Sequence, residues 1–336
     1  MPIPRIDFKA SDPVRAALAA IGRTEDIRFS PDNKLLAIAG FARNRCLILH
    51  VDVKLAATGP EVTVQDFLEL TSDSMGGVHG LDFIDDGTLV IANRDGVVSI
   101  LPLPAGDLAG RHCKVESLRD IRGGLICRLN TPGSIAATRE PNGQISLLVC
   151  NNYTHRVTRH LVDAKSPYRV TKNRVLMKRR LSIPDGIALS SDGRWIAVSS
   201  HGTRDVKIFD ASRPLGRRTL PAGILLNANY PHGVRFTGDD EHIVVADAGS
   251  PVIKIYDRGT GWEGSREPAR TVTVLDDETF ERGRKSFEEG GPKGLDIDRS
   301  NSVVAVTCEE QTLAFFSLAA ILGDDRQQRT EMRRTA

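Results

Sequence analysis

The sequence predicts an all-β fold, a six-bladed β-propeller of four-stranded antiparallel blades around a central channel, and three observations lead there. Six segments share one grammar: a short strand, a turn rich in Asp, Gly, Asn or Pro, a strongly apolar strand, a polar loop, then an alternating strand. Their anchor residues, Glu25, His79, Gly133, Asp185, His232 and Lys293, follow one another at spacings of 54, 54, 52, 47 and 61 residues, a blade's length of chain. Each segment also keeps an internal register. Seven residues after five of the anchors stand Asp32, Asp86, Asp192, Asp239 and Ser300, which bond their own backbone in turns; the third repeat carries Glu140 there and turns slightly later, at Pro141-Asn142-Gly143.

The first strands begin at the anchors. The second strands (LLAIA, LVIA, SLLVC, WIAVS, IVVAD, VVAVT) are continuous apolar runs and read as strands buried on both faces, with Ile38, Val90, Leu148, Val198, Val245 and Val306 deepest. Third strands follow as CLILHVD, VVSILPL, HRVTRHLVD, VKIFDAS, VIKIYDR and TLAFFSL. Weaker outer strands, VTVQDFLEL, KVESLRDI, NRVLMKRRL, RRTLPAGIL and TVTVLDD, serve blades one to five. The sixth blade has no clear fourth strand after it, so a segment from Ile3 to Lys9 is expected to supply one and latch the ring, with a C-terminal strand as the competing closure. Residues 1–322 then form a single propeller, and the polar, charge-rich tail 323–336 is expected to fray.

Composition excludes several function classes. With 40% hydrophobic and 26% charged residues the chain is globular and not disordered. Lys and Arg number 45 against 43 Asp and Glu, so a net charge of +2 implies neither a nucleic acid nor a membrane partner. Lys178-Arg179-Arg180 reads as the solvated edge of an outer strand, and 5% aromatic residues are too few for a base-stacking platform. Met1 to Ala20 lacks the apolar core of a signal peptide and no later run has membrane-spanning length, so a cytoplasmic location is expected. The five cysteines are scattered without a C-x-x-C pair and read as reduced thiols in strands. Gly123-Gly124 and Gly290-Gly291 precede no helix and read as loops, not phosphate cradles, and there is no G-x-S-x-G elbow.

In a propeller blade the first strand lines the channel and the second returns, so first-strand starts and second-to-third loops meet on one face. The anchors form an inner ring there. Around it stand Arg43 to Arg45, Asn93 to Asp95, Asn151 to His155, His201 to Asp205, Asp247 to Ser250 and Glu309 to Gln311. Two imidazoles and two carboxylates converging on one mouth are donors for a divalent ion such as zinc, manganese or calcium. The alternative is a ring of channel-lining polar groups bonded to water and to one another. Lys293 is then the ion-pair partner of Glu25 across the ring closure; it argues for an anionic ligand over a metal on the axis.

The P-x-G before an apolar strand and the aspartate-rich turn after it resemble the NHL-type, YVTN-type and senescence-marker/gluconolactonase propellers, over about residues 20 to 320. The gluconolactonase resemblance implies a divalent cation held by a Glu at the start of blade one and by an Asn and an Asp at the starts of two consecutive later blades. Glu25, four residues before Phe29, matches the first; the other two positions fall on Asp185 and His232, both able to ligate but neither identical. A further family Asn that contacts substrate falls on Gly133.

Two functions follow. The first is a metal-dependent, lactonase-like hydrolase of a small polar substrate. Its metal ligands are Glu25, Asp185 and His232, with His79 as fourth ligand or general base, and Lys293 or Arg204 meets developing negative charge. The second is a non-catalytic propeller that binds a ligand or partner protein through the same face.

Overall fold

The computed structural model describes residues 2–125 and 127–323 and contains six sheets. Most of the expected fraying tail, residues 324–336, lies outside the described residues. The sheets are the six blades, with inner strands Thr24–Phe29, Val78–Asp85, Pro132–Arg139, Pro184–Leu189, Pro231–Phe236 and Pro292–Ile297. Ile38, Val90, Val198, Val245 and Val306 are fully buried, and Leu148 nearly so. The apolar core is not one mass but six seams, each made from the facing sides of two neighbouring blades. Second strands that feed two seams at once must be apolar on both faces, which is why they read as unbroken runs.

Every inner strand is bulged at its anchor, between Thr24 and Ile27 in blade one, Val78 and Gly80 in blade two, and Pro231 and Val234 in blade five, with the same shift in the other three. A bulge re-aims a side chain out of the ladder, and here it turns the anchor toward the channel. The residue after four of the anchors is Gly because neighbouring inner strands touch there. A Cβ on Gly80 would stand 2.5 Å from the Gly133 carbonyl oxygen, and one on Gly233 would stand 2.7 Å from that of Lys293. The P-x-G pattern is thus the signature of bulged strands packed edge to edge around an axis.

Three residues beyond the anchors a second ring faces the other end of the channel: Arg28, Asp82, Arg235 and Asp296, with Ala136 and Ala188 at the equivalent positions of blades three and four. Arg28 pairs with Asp26 at 2.7 Å and Arg235 with Asp296 at 2.9 Å. Beyond that ring the Asp-rich turns clasp one another from blade to blade. Asp32 N donates to Asp86 at 2.8 Å, Ser191 N to Asp240 at 2.9 Å, Gly238 N to Asn301 at 2.9 Å and Arg299 N to Asn33 at 2.8 Å. Among the described residues no such clasp joins blade two to three or three to four.

The outer strands depart from expectation at blades two, three and four; of RRTLPAGIL only Gly223–Leu225 is a strand, and Gly264–Arg266 pairs with it in parallel. Of the segment expected to edge blade two, only Arg119–Ile121 does so; Lys114 belongs to Arg111–Lys114, which pairs in parallel with the outer strand of blade one. Lys178-Arg179-Arg180 follows the outer strand Arg169–Met177 as a turn, not as part of the strand. Cys127 lies in a loop, while the other four cysteines are in strands, and all five are free.

Blade six has three strands, ending with Ala314–Ser317, followed by the helix Leu318–Leu322. The N-terminal segment runs along its open edge. Ile6 N donates to the Phe315 carbonyl at 2.8 Å and the Phe8 ring meets Phe315 edge-on at 5.4 Å. Ile3 N donates to Thr273 of blade five, and Lys9–Ala10 pairs in parallel with the outer strand of blade one. The segment therefore spans three blades, completing blade six by a single bridge. No described helix is long and apolar enough to cross a membrane.

Candidate functional site

The bulged anchors bring Glu25, His79, Asp185, His232 and Lys293 together at one channel mouth, each at most 4% exposed. Gly133 leaves the space in which Asp185 and Asn152 meet, since a Cβ there would collide with both. The loops above are stapled by polar residues that end the second strands: Asn151 accepts from Asn130 N at 2.9 Å, Ser200 from Ser182 N at 3.0 Å and Asp247 from Tyr230 N at 2.7 Å. In blades one, three and four a 3₁₀ turn follows, closed by a left-handed Asn44, His155 or Arg204. This geometry aims Asn152 and His201 inward.

Lys293 faces three carboxylates, Glu25 at 3.3 Å, Glu289 at 2.8 Å and Glu309 at 3.2 Å. Arg23 also pairs with Glu25 and lies 3.5 Å from both Glu289 and Glu309. His232 Nε2 stands 3.5 Å from Glu25 Oε2 and 3.2 Å from Asp185 Oδ2; His79 Nε2 is 3.5 Å from the same Glu25 oxygen, and His201 Nε2 is 3.8 Å from the same Asp185 oxygen. The imidazoles of His79 and His201 flank that of His232 at 5.5 and 5.4 Å, and Tyr230 covers His201 at 4.0 Å.

Burial would raise the Glu25 pKa, but Lys293, His79, the neighbouring His232 and Arg23 hold it well below the carboxylate range. Asp185 is likewise depressed against its burial by His232, His79, His201 and Arg94. Burial would lower the His232 pKa, yet Asp185 and Glu25, on either side of it, raise it above the usual imidazole value. Burial and then the charge of Arg94 push His79 down to about 3, and burial pushes His201 down to about 4. The hydrogen bonds assign the His79 tautomer: Nδ1–H donates to the Gly133 carbonyl at 3.2 Å and Nε2 accepts from Arg94 at 2.5 Å.

Among the described residues, two groups of three side chains have donor atoms close enough to hold an ion, Glu25, His79 and His232, and Asp185, His201 and His232. Glu25 and Asp185 thus fall in different groups that share His232. Glu25 Oε2, Asp185 Oδ2 and His201 Nε2 are buried without a hydrogen-bond partner. Arg204 is exposed, and among the described residues it makes no ion pair with these carboxylates. Arg94, Asn152 and His201 lie in loops singled out from the sequence, but which loop residue turns inward depends on turn geometry. Arg23 and Glu289 stand outside the repeat register; the one sequence signal for Glu289 is its place four residues before a buried lysine.

No protein-family model and no curated protein sequence matches this chain. In fold, 1051 solved chains are similar to it, so likeness of fold separates few functions. One is a luciferin-regenerating enzyme, 13% identical, with a TM-score of 0.55 over 88% of this chain and 92% of that one. Another is a chain of the mitotic checkpoint complex, 9% identical, with a TM-score of 0.54 over 88% and 76%. At these identities the likeness is one of architecture.

Proposed function

We propose that this propeller is a metal-dependent, lactonase-like hydrolase of a small polar substrate at the channel mouth. One observation carries the reading: buried, unpartnered carboxylate and imidazole atoms gather around His232 Nε2 at 3.2 to 3.8 Å from their neighbours. Ligands bound to one divalent ion at about 2.1 Å in tetrahedral geometry are about 3.4 Å apart, so the donor set fits such an ion. Zinc and manganese suit the mixed nitrogen and oxygen donors better than calcium, which prefers oxygen alone. The ion, when bound, supplies Lewis-acid polarisation of a substrate carbonyl.

The chain's own groups do the rest. Arg23 and Lys293 keep Glu25 ionised, and the Gly133 carbonyl keeps the His79 proton on Nδ1, so that Nε2 carries the lone pair, which accepts from Arg94 and would ligate an ion only in its place. Burial of Glu25, His79, Asp185, His201 and His232 keeps water from these five and strengthens the charge interactions among them. The likeness in fold to a luciferin-regenerating enzyme agrees with an enzymatic propeller.

A second reading is favoured by the charge count. With His232 protonated, the carboxylates of Glu25, Asp185, Glu289 and Glu309 face the cations of Arg23, Arg94, Lys293 and His232, and the cluster is neutral by itself. A propeller that binds a small molecule or partner protein on this face needs no more.

Titration of metal-stripped protein with zinc, manganese and calcium separates the two. Binding tighter than about millimolar should raise the melting temperature, by the equivalent of about 2.7 kcal/mol at a hundred times Kd. Glu25→Gln should abolish the effect if the first group holds the ion, and Asp185→Asn if the second does. A screen over lactones and esters with the bound metal then tests hydrolysis. No binding, or binding indifferent to both substitutions, leaves the binding scaffold as the account.

A further inference from the structure

We infer that Arg94 is the cation that meets negative charge on the substrate at this site, and that without a metal it occupies the lone pair the metal would take. The inference rests on the metal reading above.

The cations named for this role from the sequence are committed or remote. Lys293 is enclosed by three carboxylates at 2.8 to 3.3 Å and is 1% exposed. Arg204 is exposed and unpaired with the cluster. Arg23 is tied to Glu25 and lies over the Phe41 ring at 4.9 Å. Arg94 lines the cluster without a carboxylate within hydrogen-bond reach among the described residues; its nearest, Asp185 Oδ1, is 3.8 Å away and already accepts from Asn152 at 2.9 Å.

Instead the Arg94 guanidinium donates to His79 Nε2 at 2.5 Å. A neutral imidazole is a weaker acceptor for a guanidinium than a carboxylate, so this is the least committed cation of the cluster. The same Nε2 lone pair belongs to the Glu25, His79 and His232 group. One lone pair cannot serve a guanidinium and an ion together.

Metal binding to this group therefore displaces Arg94. Its backbone stays in place, because Arg94 N donates to the Gly77 carbonyl at 2.9 Å in the turn, and its side chain is 24% exposed and has room to swing outward. The displaced guanidinium stands at the rim with its planar fork unpaired, where the oxyanion of an ester or lactone carbonyl under attack would form. A fork of that kind binds an oxyanion bidentately.

The test is calorimetric titration of manganese into metal-stripped wild-type protein, Arg94→Met and Arg94→Lys. Arg94→Met keeps the aliphatic stem and frees His79, so manganese should bind roughly 10- to 100-fold more tightly, the equivalent of one charge-assisted hydrogen bond released. Arg94→Lys, which lacks the fork, should fall between, and it carries the test if the methionine variant does not fold. A merely structural role for Arg94 would weaken binding on its loss. Equal or weaker binding by the variants overturns the inference while the metal site stands; no binding by any of the three proteins overturns the metal reading, and the inference with it.

Discussion

Lys293→Met removes one buried cation and keeps the shape of the side chain. In the native ring the ammonium lies 2.8 Å from Glu289, 3.2 Å from Glu309 and 3.3 Å from Glu25, and neither Lys293 nor Glu25 is more than 1% exposed. Breaking a buried pair by deleting one partner costs about 3 to 5 kcal/mol, a large part of the 5 to 15 kcal/mol that typically separates folded from unfolded chains. The loss should depend on pH. Glu25 is depressed, so its contribution is present above the unfolded value of about 4.3 and is lost as the pH falls through the folded one. Burial would lower Lys293, but Glu25 and Glu289 raise it; its contribution is present below about 10.4 and is lost as the pH rises through the folded value. Urea denaturation of metal-stripped protein should thus show a gap between wild type and variant that is widest between about pH 5 and 10 and closes in acid. Adding Glu289→Gln to the variant should recover part of the loss, although alone it destabilises. A gap below about 1 kcal/mol, independent of pH, would refute the claim that this network is a buried ionic unit.

Val245→Asp sets an unpaired charge in the seam between blades four and five, at a cost of several kcal/mol that should unfold the protein; circular dichroism of a soluble, fully folded variant would contradict the seam. Gly186→Ala drives a methyl group into the His232 carbonyl and against Ser199 Oγ. It should cost about 1 to 3 kcal/mol and weaken metal binding by shifting the His232 backbone, and a variant with native urea midpoint and native titration would sink that reading.

The blade count was legible because the anchor, the turn seven residues on and the apolar run between them all recur in one chain. What the repeat could not reveal was the bulge. It is visible only as a slip in pairing, yet it turns Glu25 and His232 into the channel. The ring partner Lys293 was legible as a partner of Glu25, since both are anchors of blades that adjoin at the closure. Arg94 and His201 were not, because each owes its place to a turn whose residues look like any polar loop. Glu289 and Arg23 were hidden for another reason: they reach the site from the loops that enter blades six and one, where the spacing is irregular. The closure was half legible. Ile3 to Lys9 lies along blade six as expected, and no C-terminal strand closes it among the described residues, but the join is a single bridge at Ile6 with Phe8 against Phe315 and not a paired fourth strand.

The uneven clasping of the turns gives the ring a stiff side and a compliant one. Blades four, five, six, one and two are joined by four turn-to-turn bonds, and the same stretch carries the arginines and aspartates of the second ring. Blade three has neither, and between blades three and four lies a groove of about 690 Å³ bordered by the late turn at Glu140 and Pro141. A closed ring with one slack segment does not dilate evenly. With no turn clasp on either side of it among the described residues, blade three is held to blade two by the bond from Ala137 N to Asp82 at 2.8 Å instead. Glu25, Lys293 and His232 ride on the stiff arc, while Asn152 hangs from the slack blade and reaches across to Asp185. Both ion-holding groups reach that blade, the one with Asp185 through Asn152 and the one with Glu25 through the His79 bond to the Gly133 carbonyl, so a distortion of blade three is felt by either.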